Sequence, residues 1–201
     1  MPHTRLAVAV GAVAFSLFAG CQPAAPPPSP SPTVVATGPN IPISYECTPE
    51  FGGAAKPCTK AQHAAMKKKD ALYAEAERVY RAYVSEDKRL YQRGALIGPE
   101  MKALTAGSFL TSTARVHREA RDEGYVMQGG EFEIEWVKRL NETQSDSDLA
   151  LRVCLDTSST TVRQNGETVG PGAIIDQSVF FRKDSDNVKI WAAHSVEVTE
   201  C

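Results

Sequence analysis

The sequence predicts an α+β domain in which N-terminal helices pack on a strongly curved antiparallel sheet. Thr59 to Arg93 contain neither proline nor glycine, and their apolar residues recur at three- and four-residue steps, as on one face of a helix. Beyond Gly124 the apolar residues alternate with polar ones, which is typical of strands. The chain has 201 residues, 42% of them hydrophobic and 23% charged, so it fits one ordinary globular domain.

Three helices are expected in the first half of this domain. The first has an apolar stripe and stops at Gly94 and Gly98; the stripe comprises Leu72, Ala76, Val79, Tyr80 and Tyr83. Pro99 fits the first turn of a short helix through Ala106. Ser108 is expected to cap a third helix that ends at Gly124, with His117 at the boundary of its inward stripe of Phe109, Thr113, Val116 and Ala120.

The second half predicts an antiparallel meander. "EFEIEW" places Phe132, Ile134 and Trp136 on one face, and "LALRVCLD" alternates in the same way. Asn165-Gly166 is a strong hairpin signal. Strands are then expected over 173–183 and 188–199, joined by a turn at "DSDN". The last strand would carry Val188, Ile190, Ala192, His194, Val196 and Val198 on one face.

The N-terminus has the layout of an export signal over residues 1–20. Arg5 supplies positive charge, Leu6 to Ser16 form an apolar core, and Ala19 and Gly20 precede Cys21. This stretch resembles a bacterial lipoprotein signal, whose cysteine is acylated and becomes the mature N-terminus, although Phe18 stands where leucine is usual. The resemblance implies a lipid anchor on Cys21 and a location on the extracytoplasmic face of the cell membrane. Ordinary cleavage with secretion is the alternative.

A tether and a small loop separate the anchor from the domain. Residues 21–44 hold eight of the 13 prolines and no charge, which is typical of a stiff, extended spacer. Residues 45–59 form a loop that a disulfide could close, and residues 60–201 form the α+β domain. The formal charge of −2 indicates no strong field that would attract nucleic acid.

The cysteine count supports the lipid site independently. The chain has five cysteines, an odd number that calls for an explanation in an exported protein. If Cys21 is acylated, four cysteines remain for two disulfides, with three possible pairings. The short, glycine- and proline-rich intervening loop favours Cys47–Cys58, which leaves Cys154–Cys201 by elimination. Straight hairpins would place Cys154 nearer the level of His194 than of Cys201, so that second bond requires a curved or kinked sheet.

The order of elements, together with four stretches, resembles a known superfamily. The stretches are "GPEMKALTAGSFL", the following helix to Gly124, "GYVMQGGEF" and "LRVCLDTSSTTV". They resemble the nuclear-transport-factor-two-like superfamily, the cystatin-like cone, and more narrowly its uncharacterised actinobacterial secreted lipoproteins. The resemblance implies helices packed into the concave face of a curved sheet, with a pocket between them. It implies no particular chemistry, because the superfamily includes both enzymes and scaffolds.

No motif identifies a reaction, a cofactor or a metal site. His194 is the sharpest catalytic candidate, because it interrupts an apolar strand face, and Asp156, Asp176 or Tyr80 could exchange protons with it. The alternative interpretation, a structural histidine satisfied by one hydrogen bond, is favoured. The histidines lack the paired spacing of metal ligands, and no cysteine pair has the two-residue gap of a zinc site.

The inward aromatic residues predict either an ordinary core or the wall of an apolar pocket. The set comprises Tyr80, Tyr83, Phe109, Trp136 and Phe180. The sequence therefore favours a membrane-anchored domain that binds a partner protein or a small apolar ligand. A small isomerase- or cyclase-type enzyme that uses His194 is the alternative, and a structural subunit that dimerises through the outer sheet face ranks third.

Overall fold

The computed structural model describes residues 44–141, 146–185 and 187–201. The predicted export signal, Cys21 and all of the tether except Ser44 lie outside the described residues. The elements in chain order are β1 Tyr45–Cys47, β2 Lys56–Cys58, α1 Lys60–Arg93, α2 Pro99–Leu104, α3 Gly107–Asp122, β3 Tyr125–Gln128, β4 Glu133–Leu140, β5 Leu149–Asp156, β6 Thr161–Gln164, β7 Glu167–Pro171, β8 Ile174–Asp184 and β9 Asn187–Val198. They confirm the predicted α+β class as a single domain.

The long helix α1 has the bounds that the sequence predicts. Thr59 caps its start by a reciprocal pair of bonds: the Thr59 hydroxyl accepts from the Gln62 amide at 3.2 Å, and the Gln62 side chain accepts from the Thr59 amide at 2.8 Å. Gly94 ends the helix in the left-handed conformation, with φ of +56°, which glycine adopts without steric cost. The buried face of α1 runs from Tyr73 to Leu90.

A four-stranded antiparallel sheet in the order β4-β5-β8-β9 forms the main wall of the domain. Alternate residues of β5 and β8 point toward α1 and build the core with it, as periodicity predicts. The core comprises Tyr73, Ala76, Val79, Tyr80, Val84, Leu149, Leu151, Val153, Leu155, Val179, Phe181, Val188 and Ile190. Among them Phe181 and Ile190 are fully buried.

Two β-bulges reverse the side-chain faces that simple alternation predicts. One shifts the register between Ile134 and Trp136, so Val137 packs on the core. The other lies between Phe180 and Phe181 and gives β9 one extra residue, Trp191. The predicted single face of β9 is therefore wrong, since Val188 and Ile190 lie on the core side whereas His194 lies on the outer side.

A three-stranded sheet in the order β3-β6-β7 stands beside the main sheet. Its tip is the predicted hairpin turn, in which Asn165 and Gly166 have φ of +50° and +89°. The Asn165 amide donates to the carbonyl of Gly124 at 3.0 Å, so the tip rests on the segment that follows α3. The sequence did not predict β3, which is only four residues long.

The third helix differs from its prediction at both ends and on its buried face. It begins at Gly107 after Ala106 rather than at a Ser108 cap, and it ends at Asp122. Its buried residues are Thr113 and His117, whereas Val116 is exposed. The inward stripe is therefore rotated toward His117.

Both disulfides have the predicted pairing. Cys47–Cys58 joins the two short strands β1 and β2, and Cys154–Cys201 ties the C-terminal residue to the outer face of β5. The chain beyond β9 returns across that face, where the Trp136 indole donates to the carbonyl of Cys201 at 3.0 Å. This return supplies the bend that straight hairpins lack. In the described part of the chain, no helix combines the length and the apolar character that crossing a bilayer requires.

Candidate functional site

A cavity of about 490 Å³ lies between the helices α1 and α3, the β3-β6-β7 sheet and the end of the main sheet. Most of its wall is apolar or aromatic, as in typical small-molecule sites. Its lining comprises Tyr83, Asp87, Tyr91, Val116, Tyr125, Met127, Phe132, Leu155, Thr157, Val162, Pro171, Gly172, Ala173, Ile175, Gln177 and Ser195. We refer to it as the apolar cavity.

One buried carboxylate faces this cavity. Asp87 is only 14% exposed, and its Oδ1 lies 2.8 Å from Nε2 of His117, whose side chain is 2% exposed. The Tyr83 hydroxyl also makes hydrogen-bonding contact with Asp87. The Tyr91 ring packs on the His117 ring at a centroid distance of 4.6 Å. Asp87 therefore belongs to an organised cluster of aromatic and imidazole side chains.

Burial raises the pKa of Asp87, because the cavity wall replaces the water that would solvate the charged form. The hydrogen bond and charge of His117 and the contact with Tyr83 oppose that rise, whereas the nearby Glu86 carboxylate adds to it. Burial also raises the pKa of Tyr83 and of Tyr91, with the Asp87 charge as a further cause. Both phenols thus stay neutral and can donate hydrogen bonds.

A second polar point lies on the sheet side of the cavity. The Tyr80 hydroxyl donates to the side-chain oxygen of Gln177. The Gln177 amide nitrogen donates in turn to the Ser195 hydroxyl at 2.9 Å. Gln177 and Ser195 both line the cavity, so their oxygens and nitrogens could orient a ligand together with Asp87.

The wall beside Ala173 is held by a compact set of hydrogen bonds. The Thr157 hydroxyl donates to the Ala173 carbonyl at 2.7 Å and accepts from the Ala173 amide at 3.0 Å. Gly172 fits there because it has no Cβ, which would lie 2.1 Å from the carbonyl oxygen of Thr157. This close approach of two backbone segments fixes the shape of the cavity.

Of the five predicted pocket residues, only Tyr83 lines the apolar cavity. Tyr80 is buried beneath the cavity and reaches it through Gln177. Phe109 packs edge-on against Tyr83, with ring centroids 5.2 Å apart. These two residues support the wall rather than form it.

The other two aromatic candidates, Trp136 and Phe180, lie on the outer face of the main sheet. The bulge in β4 turns Trp136 outward, where Lys138 lies 4.2 Å from its ring centroid. Phe180 is opposite Ala150 and Ala192 on that face, while its neighbour Phe181 enters the core. Their assignment to an inward set is wrong for this reason.

His194 and Asp156, the candidates for catalysis, lie outside the apolar cavity. His194 is exposed on the outer face opposite Ser178, and its ring meets that of Phe180 at 5.9 Å. Asp156 accepts a hydrogen bond from the Ser158 amide at 2.7 Å, and the hydrogen bonds of the Ser158 side chain and amide lower the pKa of Asp156. Asp176, a possible partner for His194, binds Arg152 at 2.6 Å instead. An acid–base pair of His194 in the cavity is thus inconsistent with the geometry.

Another cavity, of about 560 Å³, lies between the disulfide-closed loop, α1 and β4. Its wall includes Glu50, Asp70, Lys138 and Arg139, and the last of these forms an ion pair of 2.8 Å with Asp70. It is a surface cleft in which Glu50 is paired with Lys69 and Asp70 with Arg139. The described residues contain no group of three or more side chains arranged to bind a metal ion.

The sequence contains a signal for the buried carboxylate that lies beyond the predicted apolar stripe of α1. Tyr80, Tyr83, Asp87 and Tyr91 follow one another at steps of three and four residues. Extending the stripe of α1 by two turns therefore places Asp87 on the buried face. A carboxylate at such a position needs a partner, and His117 could be found only from the packing of α3 on α1.

Comparisons with known proteins give little further information. No protein-family model matches the chain, and no curated protein matches it. Among solved structures, it is similar to the intermembrane space region of the chloroplast protein ARC6, at 14% identity and a TM-score of 0.32. That match covers 61% of this chain and 95% of the other. A likeness this weak supports no conclusion about function.

Proposed function

We propose that this protein is a lipid-anchored, extracytoplasmic binding protein that holds a small, largely apolar molecule in the apolar cavity. The observation that carries the proposal is the cavity itself, which is large enough for a molecule of two or three rings. Its aromatic and aliphatic wall supports an apolar ligand, while Asp87, Gln177 and Ser195 offer a few polar contacts. The proposed cone-like relationship agrees with a ligand site between helices and sheet.

Binding can be tested with N-phenyl-1-naphthylamine, an uncharged fluorescent probe, and the full chain carrying Cys21→Ser to avoid detergent. The probe is expected to bind with a micromolar Kd. Ala173→Trp should weaken binding by at least about tenfold, because an indole on this wall fills the space that the probe requires. Ser195→Trp, at another lining residue, is a second blocking variant.

Val169→Trp is the matched control, since Val169 is 57% exposed on β7 and does not line the cavity. It should bind the probe as the wild type does. Circular dichroism and thermal unfolding establish that each variant is folded. Equal binding by folded Ala173→Trp, Ser195→Trp and wild-type protein would contradict the proposal and leave partner-protein binding as the better explanation.

The lipid anchor is tested at the N-terminus. Mass spectrometry of protein purified from membranes should find a mature chain that begins at Cys21 and carries acyl groups. Cys21→Ser should move the protein from the membrane fraction to the soluble fraction, because one substitution removes the site of attachment. An unmodified mature N-terminus on the membrane-purified protein would contradict the anchor and favour secretion.

A second candidate function is enzymatic, and the buried Asp87 is the observation that favours it. A carboxylate with a raised pKa beside an apolar substrate can act as a general base. The role would belong to Asp87 rather than to His194. Incubation of a bound natural ligand with fresh protein distinguishes the two functions: a binding protein returns the ligand unchanged, whereas an enzyme converts it and loses that ability in Asp87→Asn.

A further inference from the structure

The apolar cavity is lined by one carboxylate and several aromatic rings. Among its lining residues in the described chain, Asp87 alone carries a formal charge at neutral pH. Four rings line the same space: Tyr83, Tyr91, Tyr125 and Phe132. A carboxylate combined with aromatic faces is the environment that favours an organic cation, because both attract positive charge.

Asp87 retains the capacity to accept a further hydrogen bond. A carboxylate has about four lone-pair positions on its two oxygens. Asp87 contacts His117 through Oδ1, and it also contacts the Tyr83 hydroxyl. His117 does not line the cavity, so it contacts the carboxylate from the α3 side while Asp87 itself faces the ligand space.

His117 also gives the cluster its order. Its burial between Asp87 and the Tyr91 ring holds the carboxylate in place before a ligand arrives. Ordering these side chains therefore costs little free energy when a ligand binds. An ammonium group would add to the stabilisation that His117 already gives the Asp87 carboxylate against the cost of burial.

We infer that the ligand of the apolar cavity is an organic amine, with its ammonium group at Asp87 and its apolar body against the aromatic wall. This inference rests on the proposed function and specifies the ligand class. Gln177 and Ser195, which also line the cavity, would offer further polar contacts to the ligand. Neutral alcohols of the same shape bind less tightly, and carboxylates bind least, because the like charge of Asp87 repels them.

The test uses three compounds that share one ring system and differ in the head group: 1-naphthylmethylamine, 1-naphthalenemethanol and 1-naphthoate. Each displaces N-phenyl-1-naphthylamine from the full chain with Cys21→Ser at neutral pH, where the amine is protonated. The amine should bind at least about tenfold more tightly than the alcohol. Asp87→Asn should reduce that ratio to about twofold or less, whereas Asp122→Asn, an exposed acid at the end of α3, should leave it unchanged.

The outcomes separate the two proposals. If the alcohol or the carboxylate binds as tightly as the amine, the amine inference is wrong while the binding function stands. The same holds if the amine preference persists in Asp87→Asn. If the probe itself binds equally to wild type and to both blocking variants, the proposed function is wrong, and the amine inference that rests on it is wrong as well. Loss of the amine preference in Asp87→Asn, with retained binding of the alcohol, supports the inference.

Discussion

Replacement of Cys154 and Cys201 together by alanine is expected to lower the free energy of unfolding by about 4 kcal/mol. The bond joins residues 47 positions apart, and a cross-link of that span removes much entropy from the unfolded chain. The substitution also releases the C-terminal tail from Trp136. Denaturant unfolding of the oxidised wild type and of the double variant measures the difference.

The second disulfide provides the matched control. Cys47 and Cys58 are only 11 positions apart, so their replacement by alanine should cost less, about 3 kcal/mol. Reduction of the wild type should reproduce the combined loss. A Cys154→Ala/Cys201→Ala variant within about 1 kcal/mol of the wild type would contradict this expectation.

Replacement of His117 by alanine is expected to lower the free energy of unfolding by about 3 to 5 kcal/mol, since it leaves the Asp87 carboxylate buried without its principal partner. Adding Asp87→Asn to His117→Ala should recover part of that loss, because the remaining group is then neutral. His194→Ala is the control. His194 is exposed on the outer face, so its removal should cost less than about 1 kcal/mol.

The raised pKa of Asp87 predicts how pH changes the stability of His117→Ala and of the double variant His117→Ala/Asp87→Asn. A carboxyl group whose pKa is higher in the folded protein binds its proton more tightly there than in the unfolded chain. Its contribution to stability is complete below the unfolded pKa, about 3.9, and is lost as the pH rises through the folded value. His117→Ala should therefore approach the stability of the double variant in acid and fall below it at neutral pH. A gap that stays constant with pH would contradict this account.

Local patterns predicted the helices and most strands because those features depend on neighbouring residues. The cap at Thr59 and the end of α1 at Gly94 each depend on residue types at or close to those positions. The hairpin at Asn165-Gly166 depends in the same way on two residues that accept positive φ. The disulfide pairing followed from counting cysteines and from the length of one loop.

The predicted inward and outward faces of the strands are wrong where a bulge adds one residue. A period of two carries no information about such an insertion, so simple alternation assigns Trp136 and His194 to the wrong side of the sheet. Phe180 and Phe181 are adjacent and equally apolar, and only the packing of β8 on α1 decides that Phe181 enters the core. For these reasons Trp136, Phe180 and the candidate catalytic residue His194 all lie outside the cavity.

The cavity itself depends on contacts between distant segments. Asp87 and His117 are 30 residues apart and meet only when α3 packs on α1. The wall near Ala173 requires Thr157, which lies 16 residues earlier in the chain. No local pattern predicts these contacts between distant residues. The spacing of the tyrosines on α1 predicts only that Asp87 is buried.

The most direct test of the central claim, a ligand in the apolar cavity, is an NMR titration of methyl-labelled protein with N-phenyl-1-naphthylamine. Chemical-shift changes are expected at the lining methyl groups of Met127, Leu155, Val162 and Ile175. The exposed methyl groups of Val169 and Val196, which lie outside the cavity, should show none. Shift changes at Val169 or Val196 with unchanged signals from the lining residues would contradict the claim.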